Sequence, residues 1–144
     1  MWWREIVKKM FIIVVGEKMI KKIMMVDDEE DQIFGIKTAL EKKYGDEYKI
    51  IPANNGAECF ELLKNNELPD LILLDIMMPE MNGWQVFDKL KENSSWKDIP
   101  VVFLTARTDE IAENAGGFLG DDYIEKPVGT EELKKRIDKV LKKN

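Results

Sequence analysis

Leu71-Ile72-Leu73-Leu74 is an apolar run that ends in Asp75. A run without alternation reads as a strand buried on both faces, which a parallel sheet with helices on each side requires. Comparable strands are predicted at 23–26, ending in the acidic stretch Asp27-Asp28-Glu29-Glu30-Asp31; at 48–53; at 101–104 after Pro100, with Thr105 at its end; and briefly at 123–125. Helical spacing fills the intervals. The first helix, 30–44, places Ile33, Phe34, Ile36, Lys37 and Leu40 on one stripe and is stopped by Gly45. The second, 56–64, carries Ala57, Phe60, Leu62 and Leu63, with Asn65-Asn66 as its exit. The third follows Asn82-Gly83 and is marked by Trp84, Val86, Phe87 and Leu90. The segment 109–119 is the weakest helix, because Gly116 and Gly117 each cost ~1 kcal/mol against alanine. The last, 130–143, takes Thr130 as N-cap and turns Leu133, Ile137, Val140 and Leu141 inward. Five strand–helix pairs in alternation predict an α/β fold with right-handed crossovers.

Residues 1–19 break this alternation. Trp2, Trp3, Ile6, Val7, Met10, Phe11 and Val14 recur near helical spacing with charges between them, so one reading is an amphipathic surface helix. The other is an upstream extension, poorly ordered or packed opportunistically, with Met19 the natural start and the domain running from 20 to 143. The apolar run 10–15 is far shorter than the ~20 residues a spanning helix needs, so no membrane span is expected.

Composition narrows the chemistry. Acidic residues outnumber basic ones, 28 to 22, which argues against general nucleic-acid binding. Cys59 is the single cysteine, so no intrachain disulfide forms and a cytoplasmic location is expected. The chain has no histidine, which removes imidazole acid–base catalysis and a phosphohistidine of its own. Cys59, Trp84 and Trp96 read as packing residues.

If the sheet is parallel, all strands end on the edge where open α/β sheets bind ligands. Asp27 and Asp28 come there from the first strand, Asp75 from the third, Thr105 from the fourth and Lys126 from the fifth. Two carboxylates ~4 Å apart repel by ~4 kcal/mol at an effective dielectric of 20, so such a site wants a cation. With oxygen donors only, a hard ion such as Mg²⁺ fits better than zinc. Asp75 then reads as a carboxylate nucleophile toward phosphorus, with Lys126 neutralising and Thr105 donating to the phosphoryl oxygens. Taken singly, each residue is more often a helix start, a cap or a surface lysine; their joint occurrence reverses the odds.

These residues carry a family resemblance. From Ile20 to Lys143 the chain resembles a two-component response-regulator receiver domain, stand-alone and chemotaxis-receiver-like, through Val26-Asp27-Asp28-Glu29, Leu73-Leu74-Asp75-Ile76-Met77-Met78-Pro79 with Gly83, Leu104-Thr105-Ala106-Arg107, and Asp121-Asp122-Tyr123-Ile124-Glu125-Lys126-Pro127. Each motif alone is modest; all of them in this order are specific. The resemblance implies a doubly wound, flavodoxin-like (βα)5 fold with five parallel strands in the order 2-1-3-4-5. It implies phosphorylation of Asp75 by a histidine kinase or phosphotransfer protein, Mg²⁺ held by Asp28, Asp75 and the main-chain carbonyl of Met77 with Asp27 acting through water, a switch formed by Thr105 and Tyr123, and a cis bond before Pro127. Met77 and Arg107 fall at positions that tune phosphoryl lifetime in the family. The sequence departs from the pattern at Gly117-Phe118-Leu119-Gly120 and in a spacing from Thr105 to Lys126 that is one residue short.

The expected function is that of a phosphoacceptor signalling domain, not a turnover enzyme, which transmits its state to a downstream protein. No output domain is expected after Lys143-Asn144, and dimerisation is left open. Two alternatives remain: a Mg²⁺-dependent aspartyl-phosphate phosphatase, which normally has a second acid where Met77 stands, and a pseudo-receiver adaptor, which would have lost some of the five pocket residues.

Overall fold

The computed structural model describes residues 2–15, 19–106 and 120–143, with the backbone alone for 11–15. The predicted strand segments become β1 (Lys21–Val26), β2 (Tyr48–Ala53), β3 (Leu71–Leu74), β4 (Val101–Thr105) and β5 (Asp122–Glu125). All pair in parallel, in the order β2-β1-β3-β4-β5. The helices are α1 (Trp2–Val15), α2 (Glu30–Tyr44), α3 (Gly56–Lys64), α4 (Gly83–Glu92) and α5 (Thr130–Lys143). The predicted helix at 109–119 lies outside the described residues.

Side chains alternate through the sheet and build a core on each face. Met24, Val26, Ile72, Leu74, Val101 and Phe103 face Cys59, Phe60 and Leu63 of α3 and Val86, Phe87 and Leu90 of α4. Ile23, Met25, Leu71, Leu73, Val102 and Leu104 face Ile33 and Leu40 of α2 and Leu133, Ile137 and Val140 of α5. Trp84 packs 4.7 Å from the Phe103 ring centroid and Trp96 stacks on Phe60. Burial pushes the Cys59 thiol up to about 12, so it serves as a small apolar side chain.

Helix ends follow local chemistry. Asn82 accepts from the Gln85 N–H at 3.0 Å while Gln85 accepts from the Asn82 N–H at 2.9 Å, a complete capping box ahead of α4. At the other end of α3, Asn66 adopts a positive φ of 65°, and the bonds Asn66 N–H to Leu63 O and Glu67 N–H to Leu62 O form a Schellman motif.

Three local expectations need correction. Phe34 is 71% exposed, because it sits one residue, about 100°, round the helix from Ile33. Ala57 is likewise exposed on α3, whose buried face is carried by Cys59, Phe60 and Leu63. Gly45 does end α2 as expected, with φ −64°, and a Cβ there would lie 2.3 Å from the Glu41 carbonyl oxygen. Thr130 is the first helical residue of α5, since the Leu133 N–H bonds to Gly129 O and gives Gly129 the cap position.

Strand β5 is fastened to α5 by Arg136, whose guanidinium donates to both carboxylate oxygens of Asp122 at 2.7 Å and to the Tyr123 carbonyl at 3.0 Å. Burial raises the Asp122 carboxyl, but the Arg136 hydrogen bonds and charge outweigh it and hold the group below its ordinary value of 3.8. A depressed folded-state value stabilises above the unfolded value, and that contribution is lost as pH falls through the folded one. Arg136→Ala should therefore cost about 1 kcal/mol at neutral pH, allowing for partial exposure. Urea titrations at pH 7 and pH 3 check this: the gap between wild type and variant should narrow at the lower pH, and a constant gap would show that the carboxylate is not its source.

Candidate functional site

The strand register assembles the site. Val26 stands opposite Leu74, Leu74 opposite Phe103, and Thr105 opposite Glu125. Single ladder bonds continue past the strand ends: Asp27 N–H to Ala53 O at 3.1 Å, Asp75 N–H to Val26 O at 3.0 Å and Lys126 N–H to Thr105 O at 2.9 Å. Residues from β1, β3, β4 and β5 are thereby fixed at the same height on one edge, as the parallel reading required.

Carboxylate oxygens of Asp27, Asp28 and Asp75 lie within 4.8 Å of one another. Asp27 and Asp75 are buried, Asp28 is exposed at the rim, and Thr105 is buried with its side chain hydrogen-bonded to Asp75. Lys126 Nζ is 2.5 Å from Asp27 Oδ2 and 3.9 Å from Asp75 Oδ2. The lysine therefore pairs first with Asp27, and its 3.9 Å separation leaves Asp75 the less neutralised of the two. Asp27 Oδ1 accepts from the Glu29 N–H at 2.9 Å, and Asp75 Oδ1 from the Ile76 N–H at 2.8 Å.

Burial, the largest influence, pushes the Asp75 carboxyl above its ordinary value; Lys126 and the Thr105 hydrogen bond act in the opposite direction, and the charge of Asp27 adds to the rise. A cation among the three carboxylates would reverse much of this. The donor set fits one: the clustered side chains offer oxygens alone, the ligand type of a hard divalent ion such as Mg²⁺.

An open cleft of about 370 Å³ leads to Asp75, lined by Glu29, Gln32, Met77, Thr105, Lys126 and Val128 among others. The Met77 side chain is exposed at its mouth. Glu29, Gln32 and Val128 were not singled out from the sequence, although the i, i+3 spacing of Glu29 and Gln32 from the end of β1 places both beside the edge. Tyr123 is half-buried and packs against the α3–α4 core. The Lys126–Pro127 peptide bond is cis, as the resemblance implied. Arg107 and the departures at 117–119 lie outside the described residues. Gly120 is described, and a Cβ there would meet the Phe103 ring at 2.8 Å.

Fold and site together define a flavodoxin-like α/β protein with an acidic, oxygen-donor pocket at the carboxyl edge of its sheet. Residues 23–138 match the response regulator receiver domain, and the chain belongs to that family. It is 38% identical over 120 residues to the response regulator SaeR of Staphylococcus aureus, covering 83% of this chain and 50% of that protein. It is 39% identical over 116 residues to a probable cyclic di-GMP phosphodiesterase of Vibrio cholerae, covering 80% of this chain and 25% of that one. The chain thus spans a quarter to a half of these curated relatives. Among solved structures, the N-terminal domain of a response regulator receiver protein from Methanoculleus marisnigri is 38% identical with a TM-score of 0.63, covering 85% of this chain and 98% of that one.

Proposed function

We propose that the chain is the phosphoacceptor unit of a two-component phosphorelay, in which Asp75 receives a phosphoryl group from a sensor histidine kinase or a phosphotransfer protein. The observation that carries this reading is the cluster of three carboxylates within 4.8 Å, with Thr105 hydrogen-bonded to Asp75 and Lys126, paired to Asp27, within 3.9 Å of it. None of residues 1–144 is a histidine, so the phosphoryl donor lies outside them.

Asp28, Asp75 and the main-chain carbonyl of Met77 would hold Mg²⁺, with Asp27 acting through water. The ion would supply positive charge to the phosphoryl oxygens. The Asp75 oxygen that does not accept from the Ile76 N–H attacks phosphorus in line, the P–N bond to the donor imidazole breaks, and its electron pair returns to the ring. Lys126 moves from Asp27 toward the charge gathering on the phosphoryl oxygens, and the Thr105 hydroxyl turns from the carboxylate to donate to one of them. Tyr123, two residues beyond the Asp121 N–H bond to Val101 O, follows as the partner of the Thr105 switch. The chain modifies itself and does not turn over a substrate; its state passes to a downstream protein, and its proposed location is the cytoplasm. Among the described residues no helix is long and apolar enough to cross a membrane.

The test is intact-mass analysis after incubation with acetyl phosphate. One labile phosphoryl group should be added with Mg²⁺ and none with a chelator. Steady hydrolysis of a small phosphomonoester would instead favour a phosphatase, a reading that Met77 at the position of the expected second acid already disfavours. Failure to take up phosphoryl from either acetyl phosphate or kinases would favour an adaptor.

Asp28→Asn should weaken Mg²⁺ binding by roughly tenfold, about 1.4 kcal/mol. It should leave folding stability within about 0.5 kcal/mol, because Asp28 is exposed and its removal relieves repulsion. Fluorescence titration with Mg²⁺, read from Trp84, and urea unfolding check the two halves separately; unfolding of the variant would refute the functional account of the acidic pair.

A further inference from the structure

Helix α1 contributes no described side chain to either core. Trp2, Trp3, Ile6, Val7 and Met10 are all exposed, and the rings of Trp2 and Trp3 meet edge to face at 6.0 Å. At about 100° per residue, Trp2, Ile6 and Met10 form one row along the helix and Trp3 and Val7 the next. Arg4 and Lys8 follow, then Glu5 and Lys9. The apolar half is bordered by basic residues on both sides, by Lys9 next to the Trp2 row and by Arg4 next to the Trp3–Val7 row.

A 14-residue helix alone in water is marginal, so this face calls for a covering surface. Two features select it. The charge is locally inverted: among residues 2–15 three basic groups stand against Glu5 alone, whereas acidic residues exceed basic ones over the chain as a whole. A second copy would bring the same cations against each other, while an anionic surface would pair with them. Tryptophan is also the side chain best suited to the boundary between headgroups and acyl chains. At 1.5 Å per residue the described helix is about 21 Å long, short of the ~30 Å hydrocarbon core, and its one-sided apolar face suits it to lie in the plane.

We propose that α1 is an in-plane anchor for an anionic phospholipid bilayer, with Trp2, Trp3, Ile6, Val7 and Met10 entering the acyl boundary and Arg4, Lys8 and Lys9 meeting the headgroup phosphates. The anchor is independent of the phosphoacceptor site.

Co-sedimentation of the full chain with vesicles tests it. Equimolar phosphatidylcholine and phosphatidylglycerol vesicles should carry the protein down, pure phosphatidylcholine vesicles should not, and added salt should reduce binding. Trp2→Ser with Trp3→Ser, and separately Arg4→Glu with Lys8→Glu, should each lower the bound fraction by roughly tenfold. Phe34→Ser, which removes an exposed aromatic from the domain itself, should leave it unchanged. Absence of binding, equal binding to neutral vesicles, or insensitivity to both double variants overturns the proposal. So does a concentration-dependent dimer without vesicles that Trp2→Ser with Trp3→Ser abolishes while vesicle binding is absent, because the face would then belong to a second copy.

Discussion

Asp75→Asn is expected to abolish Mg²⁺-dependent phosphoryl uptake altogether, because the amide lacks the anionic oxygen that attacks phosphorus. The substitution preserves the shape of the side chain and its acceptor for the Ile76 N–H, which lies 2.8 Å from the carboxylate. It also removes one of two buried carboxylates that repel each other, and burial already disfavours the ionised form of Asp75. Stability should therefore hold or rise. Intact mass after acetyl phosphate treatment and urea unfolding read the two effects, and undiminished modification in the variant would remove Asp75 from the mechanism.

Gly83→Ala is expected to have the largest structural effect of any single methyl group near the site. The added Cβ would stand 2.2 Å from the Asp75 carbonyl oxygen, 2.8 Å from Ile76 Cα and 3.0 Å from the Asp75 carbonyl carbon. All three are backbone atoms, so no side chain can rotate away. Either α4 retreats, breaking the Gly83 N–H bond to Ile76 O at 2.9 Å, or the chain carrying Asp75 shifts. We expect a loss of about 3 kcal/mol and a parallel fall in phosphoryl uptake. Gly35→Ala is the control: nothing lies within 4 Å of its added Cβ, and alanine in the middle of α2 should raise stability by about 0.5–1 kcal/mol. Thermal or urea unfolding of both variants distinguishes the contact from a general intolerance of glycine replacement.

The contrast between these glycines marks what a one-dimensional pattern can carry. Leu71 to Leu74 announce a two-faced strand because both faces of the sheet are covered, and the parallel order follows from alternating strands and helices. Asp27, Asp28, Asp75, Thr105 and Lys126 were legible as a group because each closes a strand, and register brings strand ends together. What was not legible depends on distances between groups remote in sequence. Lys126 sits closer to Asp27 than to Asp75, which spacing alone does not specify. Phe34 belongs to an apolar cluster in sequence, yet its angular position on α2 turns it to solvent. Gly45 was legible as the end of α2, but not the close approach to the Glu41 carbonyl that its small size serves. Glu80, in a left-handed conformation at φ 66° in the turn between Asp75 and α4, carries no glycine or asparagine signal. Helix α1 was legible as amphipathic, but not in whether it packs on the domain; its exposed tryptophans answer that.

The most direct measurement of the central claim is chemical mapping of the modified residue. The wild-type chain is phosphorylated with acetyl phosphate and Mg²⁺, reduced with borohydride to convert an acyl phosphate to the corresponding alcohol, digested and sequenced by tandem mass spectrometry. Homoserine at position 75, present with Mg²⁺ and absent with chelator, is the predicted result. Homoserine at Asp27 or Asp28, or no reduced aspartate at all, would contradict it.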